Sequence, residues 1–163
     1  MKYLLIVLTP CIMFAWSFTQ ADFNNLSDAQ LRIIKDSYHA GKPYNLGISL
    51  AALSIVETRA GEYKDTSNNR ICGPHQIDVL VALEQNNSKG SPKKLCKEVQ
   101  RHSKLSSKMA LDNLIYWKQN SKGLKQAINR YNRGWNRSAH DLEFLRRFEM
   151  TIRVLEKNES RLR

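Results

Sequence analysis

Glu57 is the residue most at odds with its surroundings. Leu46, Leu50 and Leu53 stand at i, i+4 and i+7, and Glu57 completes the same helix face at i+11. A carboxyl at the end of an apolar stripe is poorly solvated, and desolvation disfavours its charged form. A raised pKa is what a general acid needs near neutral pH. The plainer alternative is a surface glutamate at a helix end, paired with Arg59 or Lys64. A second cluster is Cys72-Gly73-Pro74-His75-Gln76. Gly73 allows a tight turn or a close backbone approach, and the Gln76 amide both donates and accepts hydrogen bonds, as acetamido and hydroxyl groups require. A turn with a capping amide accounts for the same residues, and His75 reads either as an acid-base group or as a structural histidine. A third is Tyr131-Asn132-Arg133-Gly134, where Tyr131 shares a helix face with Leu124, Ala127 and Ile128. Its hydroxyl is expected inside, where a carboxyl would serve as partner, while Asn132 and Gly134 fit a helix C-terminus. Core packing plus a cap is the alternative.

Other chemistries have little support. Cys72, His75 and Cys96 form only a weak metal set, one C-x2-H and one distant cysteine. No phosphate-binding loop, dinucleotide fingerprint or G-x-S-x-G elbow is present. Neither a metal nor an organic cofactor is expected.

The elements that must position these residues are helical nearly throughout. Ser27 and Gln30 form a capping box before Leu31, Ile34 and Tyr38, and Gly41 and Pro43 end that helix. The next, about 45–59, is apolar almost all round and belongs in the middle of a core. Residues 60–73, with Gly61, Asp65, Ser67, Asn68 and Asn69, read as a loop with room for a short β-hairpin. Pro74 suits the first turn of a helix over 74–85, although Ile77, Val79, Val81 and Leu83 alternate as a strand does. A polar linker over 86–94 precedes helices near 95–104, 106–119 and 122–132. A last helix begins at Ser138 with Asp141 in its cap and turns Leu142, Leu145, Phe148, Ile152 and Leu155 inward. With 163 residues and no internal repeat, this is one mainly α domain.

The N-terminus has a different character. Met1 and Lys2 precede an uncharged, mostly apolar run from Tyr3 to Phe18, and Thr19-Gln20-Ala21 follows with small residues at its first and third places. This is the layout of a secretory signal over 1–21, cleaved after Ala21, with a retained membrane anchor as the alternative. Pro10 before Cys11 sets a lipoprotein reading aside. Cleavage removes Cys11 and leaves Cys72 and Cys96, an even number that suits a disulfide in an oxidising compartment such as a periplasm. Two independent thiols remain the alternative.

Lys and Arg number 26 against 15 Asp and Glu, a formal charge of +11. On an exported chain that points to an anionic partner, either nucleic acid or an envelope polymer. The basic residues concentrate between Lys89 and Lys108 and again from Lys118 to Arg137, without a recognisable nucleic-acid motif. A solvated basic face is the bland reading.

Glu57-Thr58 at the end of a helix, then Gly73-Pro74-His75-Gln76, then Tyr131-Asn132-Arg133-Gly134 form an ordered set. That set resembles the soluble lytic transglycosylase family, whose motifs read E-S, G-L-M-Q and A-Y-N-x-G. The resemblance runs from about residue 29 to 135. It implies a lysozyme-like, mainly α single domain over 22–163 with a substrate groove. It also implies cleavage of peptidoglycan between N-acetylmuramic acid and N-acetylglucosamine, leaving a 1,6-anhydro end. Under it, Glu57 is the catalytic acid and then base, and Tyr131 hydrogen-bonds and orients Glu57. Thr58, Gly73, His75, Gln76, Tyr131 and Asn132 lie at the substrate, and no cofactor is implied. The chain departs from the pattern where Thr58 replaces Ser, Pro74 and His75 replace Leu and Met, and Arg130 replaces Ala. No tyrosine follows Tyr131.

Three other functions compete with this one. A hydrolytic muramidase would need a second carboxylate to activate water, with Glu62 and Asp65 the nearest in sequence. A non-catalytic envelope-binding or assembly protein would keep the scaffold without the reaction. An exported nucleic-acid binder rests on charge alone. The expected partner is the glycan strand, in the service of wall turnover or of a secretion, conjugation or phage machine. No specific nucleic acid is expected, and membrane contact only through an uncleaved signal. The chain is expected to be a periplasmic or secreted monomer.

Overall fold

The computed structural model describes residues 17–63, 70–85, 89–133 and 141–163. The apolar run up to Trp16, Asp65, Gly134 and the Ser138 cap lie outside the described residues.

The fold is mainly helical with one small antiparallel sheet. A short α1, Gln20–Asn24, leads into α2, Asp28–Gly41. The Ser27–Gln30 capping box opens α2 as the sequence predicts: Ser27 accepts from the Gln30 backbone N–H and Gln30 accepts from that of Ser27. A single 3-10 turn, Lys42–Tyr44, then delivers the chain to α3, Gly47–Thr58.

The central helix is α3. Every residue from Gly47 to Thr58 is buried except Ile48 and Glu57. A helix without a polar face must be covered on all sides, and α2 and α8 (Asp141–Lys157) provide most of that cover. The fit is close: a Cβ on Gly47 would stand 2.8 Å from the Tyr38 carbonyl oxygen of α2. The helix ends on three successive left-handed residues, Arg59, Ala60 and Gly61. There the Ala60 N–H reaches back to the Ser54 carbonyl at 2.8 Å, a Schellman closure.

The hairpin lies later than expected. β1, Ile71–Cys72, pairs with β2, Ile77–Asp78, in the register Ile71 opposite Asp78 and Cys72 opposite Ile77. Gly73 to Gln76 form its turn, and α4 is confined to Val79–Gln85. Where a helix is expected from Pro74, residues 74–76 are turn and Ile77–Asp78 strand, and Ile77 goes into the core. The sheet ladder wins because Cys72 is anchored by the Cys72–Cys96 disulfide, whose Cα atoms are 5.4 Å apart, and carries its partner strand with it.

Three more helices complete the shell: α5, Pro92–Arg101, α6, Ser103–Gln119, and α7, Leu124–Arg133. α6 packs against both α2 and α7. In α8, Leu145, Phe148 and Leu155 are buried as the periodicity predicts, whereas Leu142 is 75% exposed. Among the described residues no helix is long and apolar enough to cross a membrane.

The folded unit begins earlier than the boundary expected after Ala21. Phe18 is buried in the core, and Thr19 caps α1.

Candidate functional site

Three segments far apart in sequence meet at the Gly73–Gln76 turn. From the last turn of α3, the Thr58 hydroxyl donates to the Pro74 carbonyl at 2.8 Å and accepts from the Gly61 N–H at 2.8 Å. From α7, the Tyr131 hydroxyl donates to the His75 carbonyl at 3.0 Å. Burial pushes the Tyr131 phenol well above the ordinary tyrosine range, and the negative charge of Glu57 pushes it the same way. Glu57 is half-buried, and its carboxylate is close enough for its field to reach the phenol.

A phenol has one proton to donate. Tyr131 gives it to the His75 carbonyl of the turn. The phenol oxygen keeps lone pairs for the carboxyl side.

His75 differs most from the expectation. Its side chain is fully buried rather than at the substrate. Its Nε2 lies 2.9 Å from the Ser37 Oγ of α2, and its Nδ1 lies 2.9 Å from the Ser106 Oγ of α6. Ser107 joins the cluster through Ser37 at 3.2 Å. A neutral imidazole has one donor and one acceptor, and two serine hydroxyls satisfy both. Burial lowers the His75 pKa to about 3, so the ring is neutral at any ordinary pH. His75 is an internal pin joining the turn to α2 and α6. The family pattern puts an apolar methionine at this place, and the three serines here are what make a polar ring acceptable.

Thr58 is likewise buried, and the three hydrogen-bond partners of its hydroxyl, the Ser54 and Pro74 carbonyls and the Gly61 N–H, are all backbone groups. It fixes the geometry and does not present a hydroxyl to a ligand. Gly73 also owes its identity to packing. Its φ is +75°, and a Cβ there would sit 2.6 Å from Val99 Cγ1 of α5. The close approach is by α5, and Gly73 also lines the cleft beside the turn.

Gln76 does face open space. It stands at φ +51°, and its amide donates to the Gly73 carbonyl at 3.3 Å. A non-glycine residue in the left-handed region costs about 1 kcal/mol, which the rest of the fold must hold in place. Asn132 is half-buried on the final turn of α7.

The turn forms one wall of a cleft of about 470 Å³. Ile33, Ala60 and Pro74 give it an apolar lining, and Gln30, Gln76 and Gln100 give it amides, with Glu62 and Arg101 adding charge. That volume and mixture suit a sugar-sized ligand. Glu57 is not among the lining residues. Glu62 is held 3.9 Å from Arg59, with half of its side-chain surface exposed.

The sulfurs of Cys72 and Cys96 are joined and the nitrogens of His75 are occupied, so the sparse metal set has no free ligands. Among the described residues no group of three His, Cys, Asp or Glu is placed to hold a metal.

Sequence reasoning missed Ser37, Ser106 and Ser107. Their only signal was a polar residue recurring beside apolar positions of two helices, which ordinary small-residue packing also produces.

No known family model, characterised protein or solved structure matches this chain.

Proposed function

We propose that the chain is an exported lytic transglycosylase that cuts peptidoglycan between N-acetylmuramic acid and N-acetylglucosamine. The observation that carries this reading is that Thr58, next to Glu57 on α3, and Tyr131, whose phenol feels the charge of Glu57, both hydrogen-bond the Gly73–Gln76 turn. The three motifs of the family resemblance are thus neighbours in space as well as ordered in sequence.

In this mechanism the protonated Glu57 carboxyl gives its proton to the bridging oxygen as the bond to the muramic C1 breaks. The resulting carboxylate takes the proton from the C6 hydroxyl of the same sugar. That oxygen bonds to C1 and closes a 1,6-anhydro ring. Glu57 ends protonated, with the C6 hydroxyl proton in place of the one now on the leaving oxygen; no water is consumed, and one carboxyl serves where two are usual. Gln76, which lines the cleft, is placed to meet acetamido groups. Tyr131 keeps a dry, polar surface beside the acid, and Thr58 and His75 hold the turn from behind. The excess of basic residues favours adsorption to an anionic envelope polymer.

The test is muropeptide analysis of sacculi treated with the purified protein. Anhydro ends, one water lighter than hydrolysed ends, are expected. Reducing ends would instead assign a hydrolytic muramidase. Absence of any cleavage would leave a non-catalytic envelope-binding protein. Glu57→Gln should abolish cleavage with the helical signal unchanged, and full activity in that variant removes Glu57 from the mechanism.

A further inference from the structure

Phe18, Thr19, Gln20 and Ala21 lie ahead of the expected signal cut, yet they are built into the fold. Phe18 is 3% exposed and meets the Phe23 ring edge-on, with centroids 6.5 Å apart. Thr19 opens α1 with a reciprocal cap: its N–H donates to Asp22 at 2.7 Å, and the Asp22 N–H donates to its hydroxyl at 3.2 Å. Gln20 and Asn158 exchange amide hydrogen bonds of 3.2 and 2.8 Å, joining this segment to the chain just after α8. The Arg161 guanidinium lies 4.8 Å from the centre of the Phe23 ring. Phe18 also lines a small depression together with Ile55 and Arg59, at the end of α3 where Glu57 stands.

A cut after Ala21 would remove a buried aromatic ring, a helix cap and a tie to the C-terminal end in one step. Another bond meets the same small-residue requirement: Ala15-Trp16-Ser17 places small side chains at the last and third-last positions before Phe18. Among the described residues it is also the bond that immediately precedes the first buried one. We propose that export processing cuts between Ser17 and Phe18, so that the mature protein begins with Phe18. This rests on the export reading above.

The test is to express the full chain with its own N-terminus in a bacterial host and to measure the intact mass and N-terminal sequence of the envelope-fraction protein. A start at Phe18 is expected. Ser17→Leu, which puts a large residue before the bond, should accumulate the uncut chain. Ala21→Leu, at an exposed position of α1, should be processed as the wild type is. A wild-type start at Asp22, or at any other residue, overturns this inference and leaves the export reading standing. A wild-type chain that reaches the envelope uncut overturns the cleaved-signal reading together with it.

Discussion

The buried imidazole of His75 ties stability to pH in a calculable way. Its pKa is lowered from 6.5 to about 3 because burial opposes the charged ring. The native state therefore binds fewer protons than the unfolded chain wherever the pH is below about 6.5, and stability falls as pH falls. Between about pH 7.5 and pH 5 the unfolded histidine becomes almost fully protonated while the native one stays neutral. The linkage integral over that interval is about 2 kcal/mol of lost stability, and the loss continues toward about pH 3. The assay is urea unfolding of the oxidised protein at both pH values, on the wild type and on His75→Gln. Glutamine keeps a donor and an acceptor but cannot titrate. The variant is expected to be the less stable at about pH 7.5, and its deficit should shrink by about 2 kcal/mol at about pH 5. Other titrating groups act equally on both proteins and cancel in the difference. A deficit that stays the same at both pH values refutes the reasoning, because the ring would then be reaching water or gaining a proton in the native state.

Further outcomes follow from the same geometry. Gly73→Ala meets both a left-handed backbone and Val99 at 2.6 Å, and should cost about 2–4 kcal/mol in urea unfolding. Reducing the Cys72–Cys96 disulfide, which closes a loop of separation 24, should cost about 3 kcal/mol, read as a lower urea midpoint with reductant present. Tyr131→Phe removes the bond to the His75 carbonyl and should cost about 1–2 kcal/mol. In the wild type, spectrophotometric titration should find late-ionising tyrosines, Tyr131 and the Tyr38 that donates to Glu159, and Tyr131→Phe should remove one of them.

The sequence alone was enough for the helical class, the buried character of α3 and the capping box at Ser27, and it offered Cys72 and Cys96 as a candidate pair. Each is a local or near-local signal: an apolar period, a cap with its fixed offset, an even cysteine count. It also marked out the Glu57, Gly73–Gln76 and Tyr131 clusters, because the residue types at those positions are unusual for their neighbourhoods. Local signals failed where a distant partner decided the outcome. Residues 77–78 are a strand because the disulfide and the β1 ladder hold them, although Pro74 announces a helix. Leu142 points outward although its period points it in.

What each candidate residue does was left to the tertiary structure. Thr58, Gly73 and His75 looked like ligand contacts, and their side chains or missing Cβ are spent on backbone carbonyls, on Val99 and on three serines from other helices. Sequence period says which side of a helix a residue occupies, but not what another helix brings to meet it. Only the packing of α2, α3, α6 and α7 around one turn separates the groups that hold the site from those left to face a ligand.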